Sequence, residues 1–362
     1  MAMVRLTRAQ RQERTRAAVL VAAQDEFAEH GYADAKIDRI AERAELTRGA
    51  VYSNFPSKRA LYLAVLVDAL DRDGDADGDG DAAPPAASLD EALGAFARAR
   101  LERLPMSGDS PASAGLRLRS TDGLFDDDRG RAALAQVTWL EGLLLGLALE
   151  TYAPRVRRVR LAELVLTLLD GAGHLAGTAP GFGDPFDVAR ACRHLAGLDL
   201  GDAWDPPHLP FTAPATPVRD AWEPPAEPLD AITGDPADLG ADGVVAVLGT
   251  GRLRAAEEAV RAARPGEPVT VAVVTADPAE LGRLVRLRIG DVARCLRRAL
   301  PPDARPGLRL VLDERGAVAA AAGVPAPDDG TETAVRVRAG EIVARADGRG
   351  AAHAVAAGGT RV

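Results

Sequence analysis

The stretch "LTRGAVYSNFPSK", residues 46–58, decides how the front of this 362-residue chain folds. Thr47 is a helix-capping residue, because its hydroxyl can accept from a backbone N–H two or three positions on. The helix it would start, residues 48–55, is too short to be stable alone. Val51 and Phe55, four apart, supply the face it must bury. Pro56 ends it, and Ser57 can cap a further helix over residues 58–70. Upstream, residues 14–30 read as an amphipathic helix with Ala18, Val21, Ala22, Asp25-Glu26 and Phe27 along its stripe. Gly31 closes that helix, and Ile37, Ile40, Ala41 and Ala44 mark one face of a short second one. Two short helices joined by a tight turn, the second presenting its N-terminal end outward, form a helix-turn-helix.

Charge points the same way. The chain carries a formal net charge of -9, but unevenly. Residues 1–60 hold eleven basic and eight acidic side chains, whereas residues 61–362 hold 33 and 45. A basic head on an acidic body suits a nucleic-acid reader with an appended part that does other work. Both lysines of the chain, Lys36 and Lys58, fall in the head. No run of about eighteen uninterrupted apolar residues suggests a membrane span, and the N-terminus has no apolar signal core. The expectation is a cytoplasmic protein that needs no membrane. The two cysteines, Cys192 and Cys295, form neither a CxxC nor a metal pattern, and each reads as a small buried hydrophobe.

The order of particular residues is more specific than the helix pattern. A Gly-Tyr at 31–32, an Ile-Ala at 40–41 and a Tyr-x-x-Phe-x-x-Lys at 52–58 resemble the DNA-binding domain of TetR-family repressors, over roughly residues 14–66. Arg48 could fork onto a guanine edge in the major groove. Thr47 and Ser53 can donate to phosphate or base, and Gly49 lets backbone approach closely. The resemblance implies backbone or base contacts at Tyr52 and Asn54 and phosphate contacts at Lys36 and Lys58. It also implies a twofold homodimer reading a palindromic double-stranded DNA operator, and an all-helical body that holds a small-molecule effector.

The helical body is expected over residues 57–200. Residues 71–87 would be a flexible acidic loop. Its "DRDGDADGDGD" opens like a calcium loop but has Pro84 where a bidentate Glu belongs, so no metal is assigned. Helices are expected over 88–104, 130–152 and 156–175. The second is apolar on nearly all sides and must be buried, partly against another copy. Trp139, Glu141, Tyr152 and His174 could face an effector pocket, without a basis for ranking them.

Residues 201–242, rich in proline, read as a linker on which Trp204, Phe211 and Trp222 could dock. Residues 243–362 follow a β-α-β-α-β-α-β-β-α order, with a hairpin turning at Ala339-Gly340. This resembles the thioredoxin-like fold, and "LVLDERGAVAAAAGV" its peroxiredoxin-like form. The active-site residues do not carry over. No cysteine lies near "TGRLRA", and Glu332-Thr333 stand where the resemblance implies a cis-proline. A rival reading takes Gly249-x-Gly251 as a nucleotide-binding turn, with Arg254 in place of the third glycine. The fold class is therefore multidomain: a TetR-like all-α regulator (head at 1–56, then the body) followed by a redox-inactive α/β thioredoxin-like domain. The function expected is a dimeric transcriptional repressor released by its effector, without cofactor or catalysis. The alternative is a regulator whose tail keeps redox or nucleotide-binding activity.

Overall fold

The computed structural model describes residues 7–76, 86–102, 123–179, 181–226, 228–304 and 306–358. The chain divides into two compact units. One joins residues 1–79 with 103–125 and 174–182; the other joins 80–102 with 126–173 and 183–362.

The first unit holds four helices: α1 (Arg8–Asp34), α2 (Ile37–Arg43), α3 (Arg48–Asn54) and α4 (Lys58–Ala76). Helix α1 starts six residues earlier than its apolar pattern suggests. The cause is a capping box: the Thr7 hydroxyl accepts from Gln10 N at 3.2 Å, and the Gln10 side chain accepts from Thr7 N at 2.9 Å. Gly31, at φ 69°, breaks the helix near its end. The buried stripe is Val19, Ala22, Ala23, Glu26 and Phe27; it keeps the expected Ala22, Glu26 and Phe27, but Val19 and Ala23 take the place of Ala18 and Val21, the latter 64 % exposed. Phe27, Ile40, Val51, Phe55 and Tyr62 form the core, with the Phe27 and Tyr62 rings edge-on at 4.9 Å. Helix α4 runs six residues into the acidic stretch expected to be loop. The side chains of the calcium-like segment lie outside the described residues.

The second unit contains α5 (Leu89–Leu101), α6 (Asp128–Glu150), most of α7 (Val159–Thr178) and α8 (Pro185–Leu195). Ser88, Asp127 and Asp184 cap α5, α6 and α8. Gly146 lets α6 approach α7: a Cβ there would lie 2.8 Å from Val159 Cα. Helix α6 is long and apolar enough by composition to cross a membrane, with a mean hydropathy of 1.6 over its best window, although charges interrupt it. Its second half is instead buried within the chain.

A six-stranded sheet completes this unit, in the order β1-β6-β5-β2-β3-β4. Strands β2 (Gly243–Gly249), β3 (Val269–Val274) and β4 (Leu308–Leu312) are parallel. They are linked by α9 (Ala255–Ala262) and α10 (Arg283–Ala299). Parallel neighbours require such crossovers. Strands β5 (Glu332–Arg338) and β6 (Glu341–Asp347) add an antiparallel hairpin, turning through Ala339 and Gly340, both at positive φ. Short helices α11 (Ala317–Ala321) and α12 (Ala351–Ala357) pack beside the strands. On one face Val245, Val247, Ala272, Val274, Val335 and Val337 form a continuous apolar layer.

Part of the proline-rich stretch joins the sheet. Residues Thr216–Ala221 form edge strand β1, paired with β6, and an edge position tolerates Pro217. Trp222 is buried in the sheet's apolar layer and donates from Nε1 to Leu239 O at 2.7 Å. Trp204 lies beside Arg157 and His353, whereas Phe211 is exposed.

Helix α6 also finds its cover in cis. Helix α10 packs along α5 and α6, where a second copy was the expected partner. Arg288 on α10 donates to Glu141 at 2.5 Å and to Asp170 at 3.1 Å, and Arg100 on α5 donates to Asp170 at 3.0 Å. Around them Arg261 grips Glu150 through two bonds of 2.6 Å, and Arg254 stacks 4.1 Å over Trp139. Burial pushes the Glu141 carboxyl above its usual range, against the pull of Arg288 and Arg100. Asp170, also desolvated, is held below its usual range because the same two guanidiniums outweigh its burial.

Candidate nucleic-acid interface

Helix α3 is built as the sequence suggests at its start. The Thr47 hydroxyl accepts from Ala50 N at 3.2 Å, so the N-terminal turn is capped by a side chain that itself remains exposed. Val51 and Phe55 are both fully buried, anchoring the helix from beneath. This leaves Arg48, Gly49, Tyr52 and Ser53 exposed together. Nothing but the Thr47 hydroxyl, at 3.9 Å, would meet a Cβ at Gly49, so the glycine keeps an open surface low.

The candidate contacts differ in how engaged they already are. The Arg48 guanidinium lies 5.6 Å from the Tyr52 ring centroid and 3.3 Å from Asp38 on α2. That ion pair is exposed on both sides, so it is weak and exchangeable. Ser53 and Asn54 are engaged by their own helix: Ser53 Oγ and Asn54 Nδ2 both donate to Ala50 O, at 2.8 and 2.9 Å, and Ser53 stays exposed. Lys36, the residue before α2, has an exposed side chain. Lys58 donates to Ala33 O at 3.0 Å and stands 5.0 Å above the Tyr32 ring. Partial burial holds its ammonium below the usual lysine range, against Asp34 and Glu26. It ties α4 to the C-terminal end of α1 while keeping two further N–H donors.

Buried Glu26 holds this arrangement from behind. It accepts from Lys36 N at 3.1 Å and lies 3.4 and 3.7 Å from Arg43 and Arg39. Glu26, Glu29 and His30 bring donor atoms within 4.8 Å of one another, but Arg43 already grips Glu29 through both oxygens, which leaves little to attract a cation. Neither Asp38 nor Glu26 was anticipated as a partner. Their spacing to Arg48 and Lys36, ten residues in each case, matches no helical period that would reveal it.

The possible pocket residues are engaged elsewhere. Trp139 lies under Arg254, Glu141 is ion-paired, Tyr152 donates to Ala86 O at 3.1 Å, and His174 is exposed. At the Gly249-x-Gly251 turn the chain covers itself. Gly249 N and Gly251 N each donate, at 2.8 Å, to Thr331 O and Asp329 O. A Cβ at Gly249 would lie 2.4 Å from Asp328 O. The Asp329 carboxylate takes hydrogen bonds from Thr250, Thr275 and Arg129, filling the anion position with the protein's own side chain.

Residues 19–65 match the family described as bacterial regulatory proteins, tetR family. The HTH-type transcriptional activator FasR of Mycolicibacterium smegmatis is 45 % identical over 51 residues, 14 % of this chain and 23 % of that protein. The chain thus matches less than a quarter of the length of that curated relative. A TetR transcriptional regulator from Rhodococcus sp. RHA1 aligns in structure over 51 % of this chain and 94 % of its own, at 20 % identity and a TM-score of 0.31. The fatty acid degradation regulator FadR from Bacillus halodurans aligns over 50 % and 94 %, at 16 % identity and a TM-score of 0.28. The segment bearing the capped, outward-facing α3 is therefore a TetR-family helix-turn-helix domain.

Proposed function

We propose that the protein is a homodimeric transcriptional regulator that reads a palindromic operator with α3 and is released from it by a small-molecule effector. The carrying observation is the exposed set Arg48, Gly49, Tyr52 and Ser53 on a helix whose opposite side is locked by Val51 and Phe55. A seven-residue helix spans few base pairs, and a dyad doubles the site. Leu164, 37 % exposed on α7, leaves apolar surface for the second copy. Repression is the mode we favour, although the matched relative is named as an activator. Footprinting on DNA flanking the protein's own gene tests the reading: a protected, symmetric site supports it, and no site-specific protection by a dimeric sample overturns it.

We read the tail as thioredoxin-like and redox-inactive. The parallel β2–β3 pair followed by the β5–β6 hairpin and α12 supports the first part. The tail's cysteine, Cys295, is 1 % exposed and has no neighbouring cysteine in a CxxC, which supports the second.

A further inference from the structure

A groove of about 460 Å³ lies between the α6–α7 turn and the segment that follows α8. Volumes of this order hold small organic ligands. Its charges sort unevenly. Asp202 is engaged by Arg157 at 3.3 Å and by Arg160 N at 3.0 Å, and Asp199 accepts from Gly201 N at 3.0 Å. Arg157 also pairs with Glu257. Arg155 and Arg158 are different: among the described residues neither guanidinium has a hydrogen bond or an ion pair. Arg158 Nε is moreover buried and unpartnered. A buried polar atom without a partner is costly and calls for one. Beside these guanidiniums Val156 and Leu198, 46 % and 41 % exposed, present apolar surface to the same groove.

We propose that this groove is the effector site, and that it takes an amphipathic carboxylate, whose anionic head pairs with Arg155 and Arg158 while its apolar part lies on Val156 and Leu198. Guanidinium suits this partner because its fork matches both carboxylate oxygens. The effector role rests on the reading of the chain as a ligand-controlled regulator; the binding itself does not. The groove abuts the turn joining α6 to α7, so an occupant would bear on the helices that carry the proposed dimer face.

Calorimetry on the full chain with octanoate, octanol, acetate and inorganic phosphate tests binding without DNA. Expected is saturable octanoate binding at one site per chain, with the other three at least roughly tenfold weaker, and roughly tenfold or greater loss in an Arg155→Gln/Arg158→Gln variant. Equal binding of octanol or phosphate, absence of saturable octanoate binding, or an unchanged affinity in a variant that unfolds at the parent temperature overturns the site. Operator affinity then separates the two claims. Release of DNA by octanoate in the parent but not in the variant supports the effector role. Octanoate binding with unchanged DNA affinity overturns that role, and loss of DNA affinity in the ligand-free variant would make the arginines DNA contacts instead.

Discussion

Helices α3 and α10 make an instructive pair. Helix α10, "RLVRLRIGDVARCLRRA", carries six arginines; α3, "RGAVYSN", carries one. By charge alone α10 is the better nucleic-acid binder. Its arginines, however, are engaged within the chain. Arg288 holds Glu141 and Asp170, Arg297 donates to Ile232 O at 2.7 Å, Arg298 reaches Glu102 at 3.0 Å, and Arg286 lies 3.6 Å from Glu314. The single arginine of α3 meets only exposed partners, Asp38 and the Tyr52 ring, among the described residues. A basic helix is available to DNA only when its charges are not already answered, and that is a property of the fold rather than of the helix.

The largest expected effect lies on the α10 side. Arg288→Ala leaves Glu141 buried without its closest cation, so chemical unfolding should show a loss of about 3–5 kcal/mol. A combined Arg288→Met, Glu141→Leu variant, which removes both charges, should recover most of it. If the single variant were as stable as the parent, the buried pair would not join body to tail. On the α3 side Phe55→Ala empties a fully buried site and should cost about 3–5 kcal/mol. Thr47→Ala should cost about 1 kcal/mol through the lost cap. Both are read by thermal or urea unfolding of the same chain, and a larger loss at Thr47 than at Phe55 would reverse the ranking.

Lys58→Ala should weaken DNA binding on every sequence and reduce the salt slope by about one. A loss confined to one base pair would make Lys58 a base reader. Because Lys58 also holds Ala33 O, the variant's thermal unfolding must be compared alongside. The smallest effect concerns Asp329. Its carboxyl is partly desolvated, but hydrogen bonds from Thr275, Arg129 and Thr250 hold it below its ordinary value of 3.8. A depressed carboxyl stabilises the fold above its unfolded value, and that contribution is lost as pH falls through the folded one. Hydrogen exchange at Gly249 and Gly251 should therefore speed up, beyond the intrinsic rate, only below about pH 4. Acceleration at pH 5–6 would argue against Asp329 as the latch.

The head was legible because its information is local. Thr47, Val51, Phe55, Pro56 and Ser57 lie within eleven residues, and caps, anchors and stops act over that range. The stripe of α1 was placed on Ala18 and Val21 instead of Val19 and Ala23 because residues 17–23, AAVLVAA, are all apolar and do not show which of them face the core. The strand within the proline-rich segment was hidden for a different reason. Pro217 argues against a central strand but is acceptable on an edge, and the edge belongs to β6, more than a hundred residues away. The joining of body to tail was invisible, since Glu141 and Arg288 lie 147 residues apart and their meeting depends on the whole sheet.

The most direct test of α3 as the reading element is selection of bound sequences from a random DNA pool, run with the parent and with Arg48→Ala. Expected from the parent is an enriched palindrome. The variant should bind that site roughly ten- to a hundredfold more weakly and relax its preference at one symmetric base pair per half-site. A variant that enriches the same palindrome with unchanged affinity would contradict it.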